Sequence, residues 1–361
     1  MTILSYYHIY RNPSLYCLKG FVYPHCENAG GWLVADGRYK CTSCKARISV
    51  TAGTLFDRRR TPLTVWFTAC WMFAYQKDGI SALSLQRALD IGSYQTAWVM
   101  LHRLRSVLVR PERERLSGIV EVDETYLDGE EHGLRGGRSK GKKLLVGVAV
   151  ERLDPKGFGR CRMAIIPDGS AESPHPFVVA HVEPGTTVIT DTWQGYSGID
   201  KLGYVHEPHS QRGASASWED IAALLPGVHR VASLAKRLQL GTHQGRVDGA
   251  HLQSYLDEFT FRFNQRRSRS RGLLFYRLIE LAVAHDPVRY RQLVANPRAN
   301  AVPPTSPTSE DIPRAWTDHG PPGHGECRKQ EWSGQMNIPK WPYEKQWVNT
   351  LNALYLLPLK T

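Results

Sequence analysis

The segment GIVEVDETYLDGEEHG, Gly118 to Gly133, constrains this chain more than any other. Ile119, Val120, Val122 and Thr125 give it the composition of a core strand, yet Glu121, Asp123 and Glu124 run through its middle. Strand periodicity places Glu121 and Asp123 on one face and Glu124 on the other. Carboxylates in such a strand are costly unless a cation or hydrogen-bond donors meet them, so the segment predicts a site.

The order of elements around it locates the partner. Strands are expected near 119–126, 144–152 and 161–166, a helix near 174–182, and a strand at TTVITD, 186–191. The order β-β-β-α-β, followed by more helix and strand, predicts an α/β fold with an RNase H-like mixed-sheet core. In that architecture one carboxylate stands mid-way along the first strand and a second at the end of the fourth. Asp123 and Asp191 take those places, 68 residues apart. Two carboxylates brought together repel unless a cation lies between them. Mg²⁺ prefers oxygen ligands and keeps positions open for water and phosphate. Two such ions about 4 Å apart serve both the attacking and the leaving oxygen of a phosphoryl transfer. Asp123 and Asp191 are therefore expected to hold Mg²⁺ or Mn²⁺ in a two-metal site, with Glu124 as a helper or an edge charge.

A third ligand should come from a late helix, here HRVASLAKRLQLGTHQG, 229–245. Lys236 lies seven residues after His229, nearly two full helical turns on and almost on the same face. Lys236 is expected to touch DNA beside the site, and His229 stands where a third acid would be. Histidine suits Mn²⁺ better than Mg²⁺, or serves through a hydrogen bond or proton transfer. Glu219 and Asp220 are alternatives without a matching lysine, and Glu258 in YLDEF is expected to brace a helix.

The rest of the chain favours a polyanionic partner. Its 46 Lys and Arg against 34 Asp and Glu leave a net charge of +12, and such a field points first to nucleic acid. No apolar run is long enough for a membrane span, and no secretory leader is evident. Seven scattered Cys argue against a disulfide framework. A cytoplasmic, nucleoid-associated bacterial protein is expected, with no membrane partner.

Two N-terminal modules fit that reading. From about residue 23, YPHCENAGGWLVADGRYKCTSC carries the intact knuckle Cys41-x2-Cys44, fourteen residues after Cys26. A zinc ribbon needs two such ligand pairs. Tyr23 stands where the first knuckle's leading Cys belongs, which leaves His25 or Cys17 as candidates for a fourth zinc ligand beside Cys26, Cys41 and Cys44. DGISALSLQRALDIGSYQTAWVMLHRLRSVL then reads as a helix-turn-helix, with Ser81 and Ser93 as N-caps. Tyr94, Gln95 and Thr96 open the second helix, where bases are read. Arg103 and Arg105 could reach phosphates, as could Arg266 and Arg267 in FNQRRSRSR. The expected division is 1–60, 61–116, a core of 117–295, and a Pro-rich disordered tail, 296–361, since from Pro297 onward the chain holds ten of its 22 prolines.

Together these motifs resemble the bacterial insertion-sequence transposases that join an N-terminal zinc ribbon to a DDE-type catalytic domain, the ISXO-two-like group. GRYKCTSC, TAGTLFDRRRTPLTVWFTACW, VEVDETYLDGEE, TDTWQGY, KRLQLGTHQG and YLDEFTFRFNQRR carry the resemblance over about residues 20–295. It implies metal-dependent cleavage and strand transfer at element ends, with Asp123, Asp191, His229 and Lys236 as catalytic residues. It also implies double-stranded DNA, both element ends and target, as partner, and a homo-oligomer on that DNA. Tyr23, Thr192, KRLQLG and the tail depart from the family pattern. The alternative is a sequence-specific DNA-binding protein derived from such a transposase, its catalysis lost. A resolvase-like nuclease of the same core ranks last.

Overall fold

The computed structural model describes residues 30–109, 113–127, 144–167, 174–209, 224–244 and 249–295, with 16–17, 20–21, 26 and 247. The tail from 296 lies outside these residues.

The N-terminal part is built from very short strands. β1 (Tyr16–Cys17) pairs with β2 (Gly20–Phe21), and β3 (Gly31–Leu33), β4 (Tyr39–Cys41) and β5 (Arg47–Ile48) form an antiparallel sheet of three. Helices α1 (Leu63–Tyr75), α2 (Ala82–Ala88) and α3 (Tyr94–Ser106) follow. Ser81 caps α2, its hydroxyl accepting the Ser84 amide at 3.1 Å. Ser93 stands at the N-cap of α3, but its side chain makes no capping bond; there the cap expected from the sequence is positional only. On α1, Trp66 and Phe73 are buried beside Leu55, Phe56, Leu101 and Leu104, while Phe67 and Trp71 are half-buried.

The second layer is a five-stranded mixed sheet. Its strands are β6 (Ile119–Leu127), β7 (Leu144–Arg152), β8 (Phe158–Ile166), β9 (Thr187–Asp191) and β10 (Val205–His209), in the order β10-β9-β6-β7-β8. β6, β7 and β8 form an antiparallel meander, while β9 and β10 run parallel to β6. This is the RNase H-like arrangement expected from the order of elements. α4 (Pro174–His181) crosses from β8 to β9 and packs on one face with Val120, Val122 and Val188. α5 (Pro226–His243) and α6 (Leu252–Asn264) cover the other face with Val146, Val148, Val150 and Ile189. Gly147 lets α4 approach β7: a Cβ there would stand 3.0 Å from the Phe177 ring.

α7 (Arg271–Ala284) and α8 (Tyr290–Ala295) pack elsewhere. Leu274, Leu278, Ile279, Ala282 and Leu293 belong to the core of α1–α3, and the Leu55 amide donates to Ala282 O at 3.0 Å. The span 117–295 therefore divides between two cores. The chain returns to the helical module after α6, a closure that no local sequence pattern announces.

Candidate active site on two parallel strands

β6 and β9 pair in register from Ile119 and Thr187 to Glu121 and Ile189, and the ladder stops there. Each strand continues two residues to an acid, Asp123 on β6 and Asp191 on β9. Because side chains alternate, both acids lie on the face of Glu121 and Ile189, the face covered by α5 and α6. Carboxyl ends of adjacent parallel strands form the crevice where open α/β sheets bind ligands.

Backbone amides orient both groups. Asp123 Oδ1 accepts the Glu124 amide at 2.8 Å, and Asp191 Oδ1 accepts the Trp193 amide at 3.0 Å. The Asp123 carboxyl is pushed up to about 7, first by burial, then by the negative charges of Glu124 and Asp191, against the lowering effect of the Glu124 amide. A cation beside the pair would reverse that effect. The donor set, two carboxylates held close enough to raise one of them, fits a divalent ion with oxygen ligands.

Glu124 faces the other side, where Tyr196 OH donates to its Oε2 at 2.8 Å. Tyr196 is buried, and its phenol is raised well above its ordinary value by burial and by Glu124, Asp123 and Asp191. It therefore stays protonated and donates. Sequence reasoning missed Tyr196; the signal was an aromatic five residues past Asp191 in TDTWQGY.

Glu121 has a structural task. It is fully buried, and its Oε2 accepts the amides of Gly227 at 2.7 Å and Val228 at 3.1 Å. These are first-turn donors of α5 with no partner inside the helix. Arg152 Nε lies 3.5 Å from Oε1. Burial raises the Glu121 pKa against the opposing pull of the two amides and Arg152. Gly227 is required by this approach, since a Cβ there would fall 2.8 Å from Glu121 Oε2 and 2.9 Å from the Phe158 ring.

The clamped turn carries His229. Its imidazole is half-buried, and burial and the Lys236 charge lower its pKa, so it is neutral at pH 7. Lys236 follows on the same helix, seven residues along α5. Among the described residues, however, Asp123, Asp191 and His229 do not bring three donor atoms within 4.8 Å of one another. Glu219 and Asp220 lie outside the described residues.

Such a trio does form in the ribbon. Cys26 Sγ lies 3.5 Å from both Cys41 Sγ and Cys44 Sγ, and the three sulfurs could hold a metal ion. Burial raises the Cys41 thiol, but the Cys44 and Ser43 amides and the neighbouring thiols outweigh it, bringing the group down to about 7. A thiol so poised is readily a thiolate ligand. His25 and the side chain of Cys17 lie outside the described residues.

The residues expected at DNA divide into two groups. Tyr94 and Gln95 are exposed at the start of α3, Thr96 and Arg103 are half-buried, and Arg267 is exposed. Arg105 is buried instead: its Nε donates to Glu258 Oε2 at 2.7 Å, and its guanidinium lies 4.1 Å from the Tyr255 ring centre. Arg266 is turned inward too, donating to the carbonyls of Gly159 at 3.0 Å, Phe263 at 2.8 Å and Phe158. The phosphate contacts expected of Arg105 and Arg266 are thus replaced by internal bonds. Basic residues one helical turn apart read alike in sequence whichever way they face. Glu258 braces α6 as expected, its second oxygen accepting Arg262 at 2.9 and 2.7 Å.

Comparison with known proteins adds a family likeness. Residues 115–264 match the ISXO2-like transposase domain. The chain is 30% identical over 182 residues to an uncharacterized protein in transposable element ISH50 of Halobacterium salinarum, covering 45% of this chain and 58% of that one. Two solved structures are also similar. One is the catalytic core domain of BIV integrase (15% identity, 43% of this chain, 86% of that chain, TM-score 0.26). The other is the simian T-cell lymphotropic virus intasome in complex with PP2A regulatory subunit B56 gamma (13% identity, 53% and 70%, TM-score 0.29). The matched span contains both acids, Asp123 mid-way along β6 and Asp191 at the end of β9, so the part of the chain similar to the ISXO2-like transposase domain is the part that carries the candidate site.

Proposed function

We propose that this chain is a DNA transposase that cuts a phosphodiester at the ends of a mobile element and joins the freed 3′ hydroxyl to target DNA. The observation that carries this reading is the placing of Asp123 and Asp191 on one face of neighbouring parallel strands, with the Asp123 carboxyl pushed up to about 7 by burial and by the charges of Glu124 and Asp191. Asp123 and Asp191 would hold Mg²⁺ or Mn²⁺, which supplies charge stabilisation to the oxygens of the scissile phosphate. His229, neutral at pH 7, is available to take or give a proton at Nε2, a buried atom without a hydrogen-bond partner among the described residues. Lys236, exposed on the same helix, would meet a DNA phosphate. No covalent bond between protein and DNA is required.

The flanking modules would choose the DNA. The exposed Tyr94 and Gln95, with Thr96, are placed to read an end sequence from the start of α3, and Arg267 to follow a backbone. The three-cysteine knuckle would hold zinc and keep the ribbon folded. Two chains on two element ends, in a bacterial cytoplasm, complete the reading. The test is nicking of duplexes taken from the DNA flanking the reading frame. The chain should nick them with Mn²⁺ or Mg²⁺, Asp123→Asn should not, and full activity in Asp123→Asn sinks the assignment.

One observation favours the second reading, a DNA-binding protein without catalysis: among the described residues Asp123, Asp191 and His229, which stands where an acid would complete the set, do not bring three donor atoms within 4.8 Å of one another. Retained binding of the flanking duplexes, with no nicking under any metal, would establish it.

A further inference from the structure

One face of the ribbon sheet has no part in either the carboxylate site or the cysteine trio. Register across its three strands pairs Trp32 with Lys40 and Lys40 with Arg47, so these side chains stand in one row, about 4.8 Å apart from strand to strand. Alternation sends the buried Cys41 to the opposite face. Trp32 is 44% exposed on a strand of three residues. Lys40 Nζ lies 5.5 Å and Lys45 Nζ 5.8 Å from its ring centre. Lys45 reaches it from the knuckle turn, where its φ is 61° and its Nζ donates to Thr42 O at 2.5 Å.

The charge around the ring is one-sided. Between residues 30 and 48 stand Arg38, Lys40, Lys45 and Arg47, against the single acid Asp36. That acid is taken by Arg38 at 2.6 Å and Arg47 at 3.0 Å. The two ammoniums beside the indole have no carboxylate partner among the described residues. A flat ring flanked by two cations matches the two parts of a nucleotide, a planar base and a phosphate. A duplex keeps its base faces stacked on one another, so only an unpaired base can lie on an indole. An acidic peptide would meet the lysines and leave the ring uncovered. We propose that this face binds unpaired DNA, one base stacking on Trp32 with its flanking phosphates on Lys40 and Lys45. The choice of DNA over RNA rests on the function proposed above. Binding itself needs neither a cation at Asp123 and Asp191 nor a cut strand.

The test uses the full chain without added Mg²⁺ or Mn²⁺, and the anisotropy of fluorescein-labelled oligothymidylate beside a duplex of equal length. The parent should bind the unpaired strand. Trp32→Ala should weaken that binding by at least about fivefold, while duplex affinity holds. Trp32→Phe, which keeps an aromatic face, should recover most of the loss. Lys40→Gln should lower the slope of log affinity against log salt by about 0.7. Protease resistance of the segment 30–48 checks the ribbon in each variant, and Trp32→Thr, with a strand-favouring side chain, replaces the alanine variant if that one unfolds. Equal affinity for the unpaired strand in parent and variant overturns the proposal. So does an equal loss for the duplex, which would make Trp32 a prop of the ribbon. Tighter binding of oligouridylate would assign the face to RNA instead, and a change confined to self-association would make it a contact between copies of the chain. Nicking is measured apart from this binding, so failure of the catalytic reading leaves the ribbon site to stand or fall on Trp32.

Discussion

Glu121 holds the amide of Gly227 at 2.7 Å, joining the strand that carries Asp123 to the first turn of the helix that carries His229. The bond is fully buried, and the same oxygen also takes the Val228 amide. Glu121→Ala would leave two buried helix donors without partners, each costing about 1–3 kcal/mol. Urea unfolding should show a loss of that order. Glu121→Gln, which keeps a carbonyl acceptor, should lose less. Gly227→Ala should be destabilising despite its better helix propensity, because its methyl meets Glu121 and Phe158. A stability equal to the parent in Glu121→Ala would show that the clamp contributes nothing.

Arg105 and Glu258 form the second long-range tie, at 2.7 Å and with side-chain exposures of 2% and 1%. Burial works to raise the Glu258 pKa, but the guanidiniums of Arg105 and Arg262 bring it to about 2. Its folded value lies below the unfolded one of 4.5, so the stability it contributes is present above about pH 4.5 and is lost as pH falls towards 2. Arg105→Met would strand one of these charges and should cost about 3–5 kcal/mol. Thermal melting across pH 2–6 should show a shallower acid loss in Glu258→Gln than in the parent. An identical acid limb in both would refute the assignment.

Much of this was legible in the sequence, for a physical reason. The sheet strands carry β-branched and apolar runs long enough to set their positions, and the two acids stand out against them. Glu258 as a brace also followed from its place inside an apolar helix. What the sequence hid is set by tertiary contact. Arg105 and Arg266 read as phosphate ligands because charge says nothing of direction. Glu121 reads as one more acid beside Asp123 until α5 is laid across it.

Asp123 gives a prediction of opposite sign to Glu258. Its carboxyl rises from 3.8 to about 7 on folding, because burial and the charges of Glu124 and Asp191 disfavour ionisation. The native state therefore holds the proton more tightly, and stability should fall as pH rises from about 4 through 7. Asp123→Asn removes that slope and should melt higher than the parent at pH 8. Added Mn²⁺ should raise the parent's melting temperature at pH 8 and leave Asp123→Asn unchanged. A rise of equal size in both proteins would place the ion elsewhere.

The cysteine trio makes the last prediction. Three sulfurs within 4.8 Å of one another, one of them lowered to about 7, are poised for a soft or borderline cation. The strands around them are only two or three residues long, too short to be stable by themselves. Metal should therefore hold the ribbon's fold. The chain purified under reducing conditions should carry about one equivalent of zinc, released by a mercurial and read with a chromogenic chelator. Cys41→Ser should lose it and expose the segment 30–48 to protease, while the sheet core keeps its melting transition. His25→Ala and Cys17→Ser then separate the two candidates for the fourth ligand, since only the true one should weaken retention. Zinc content unchanged in Cys41→Ser would show that the three sulfurs are not its ligands.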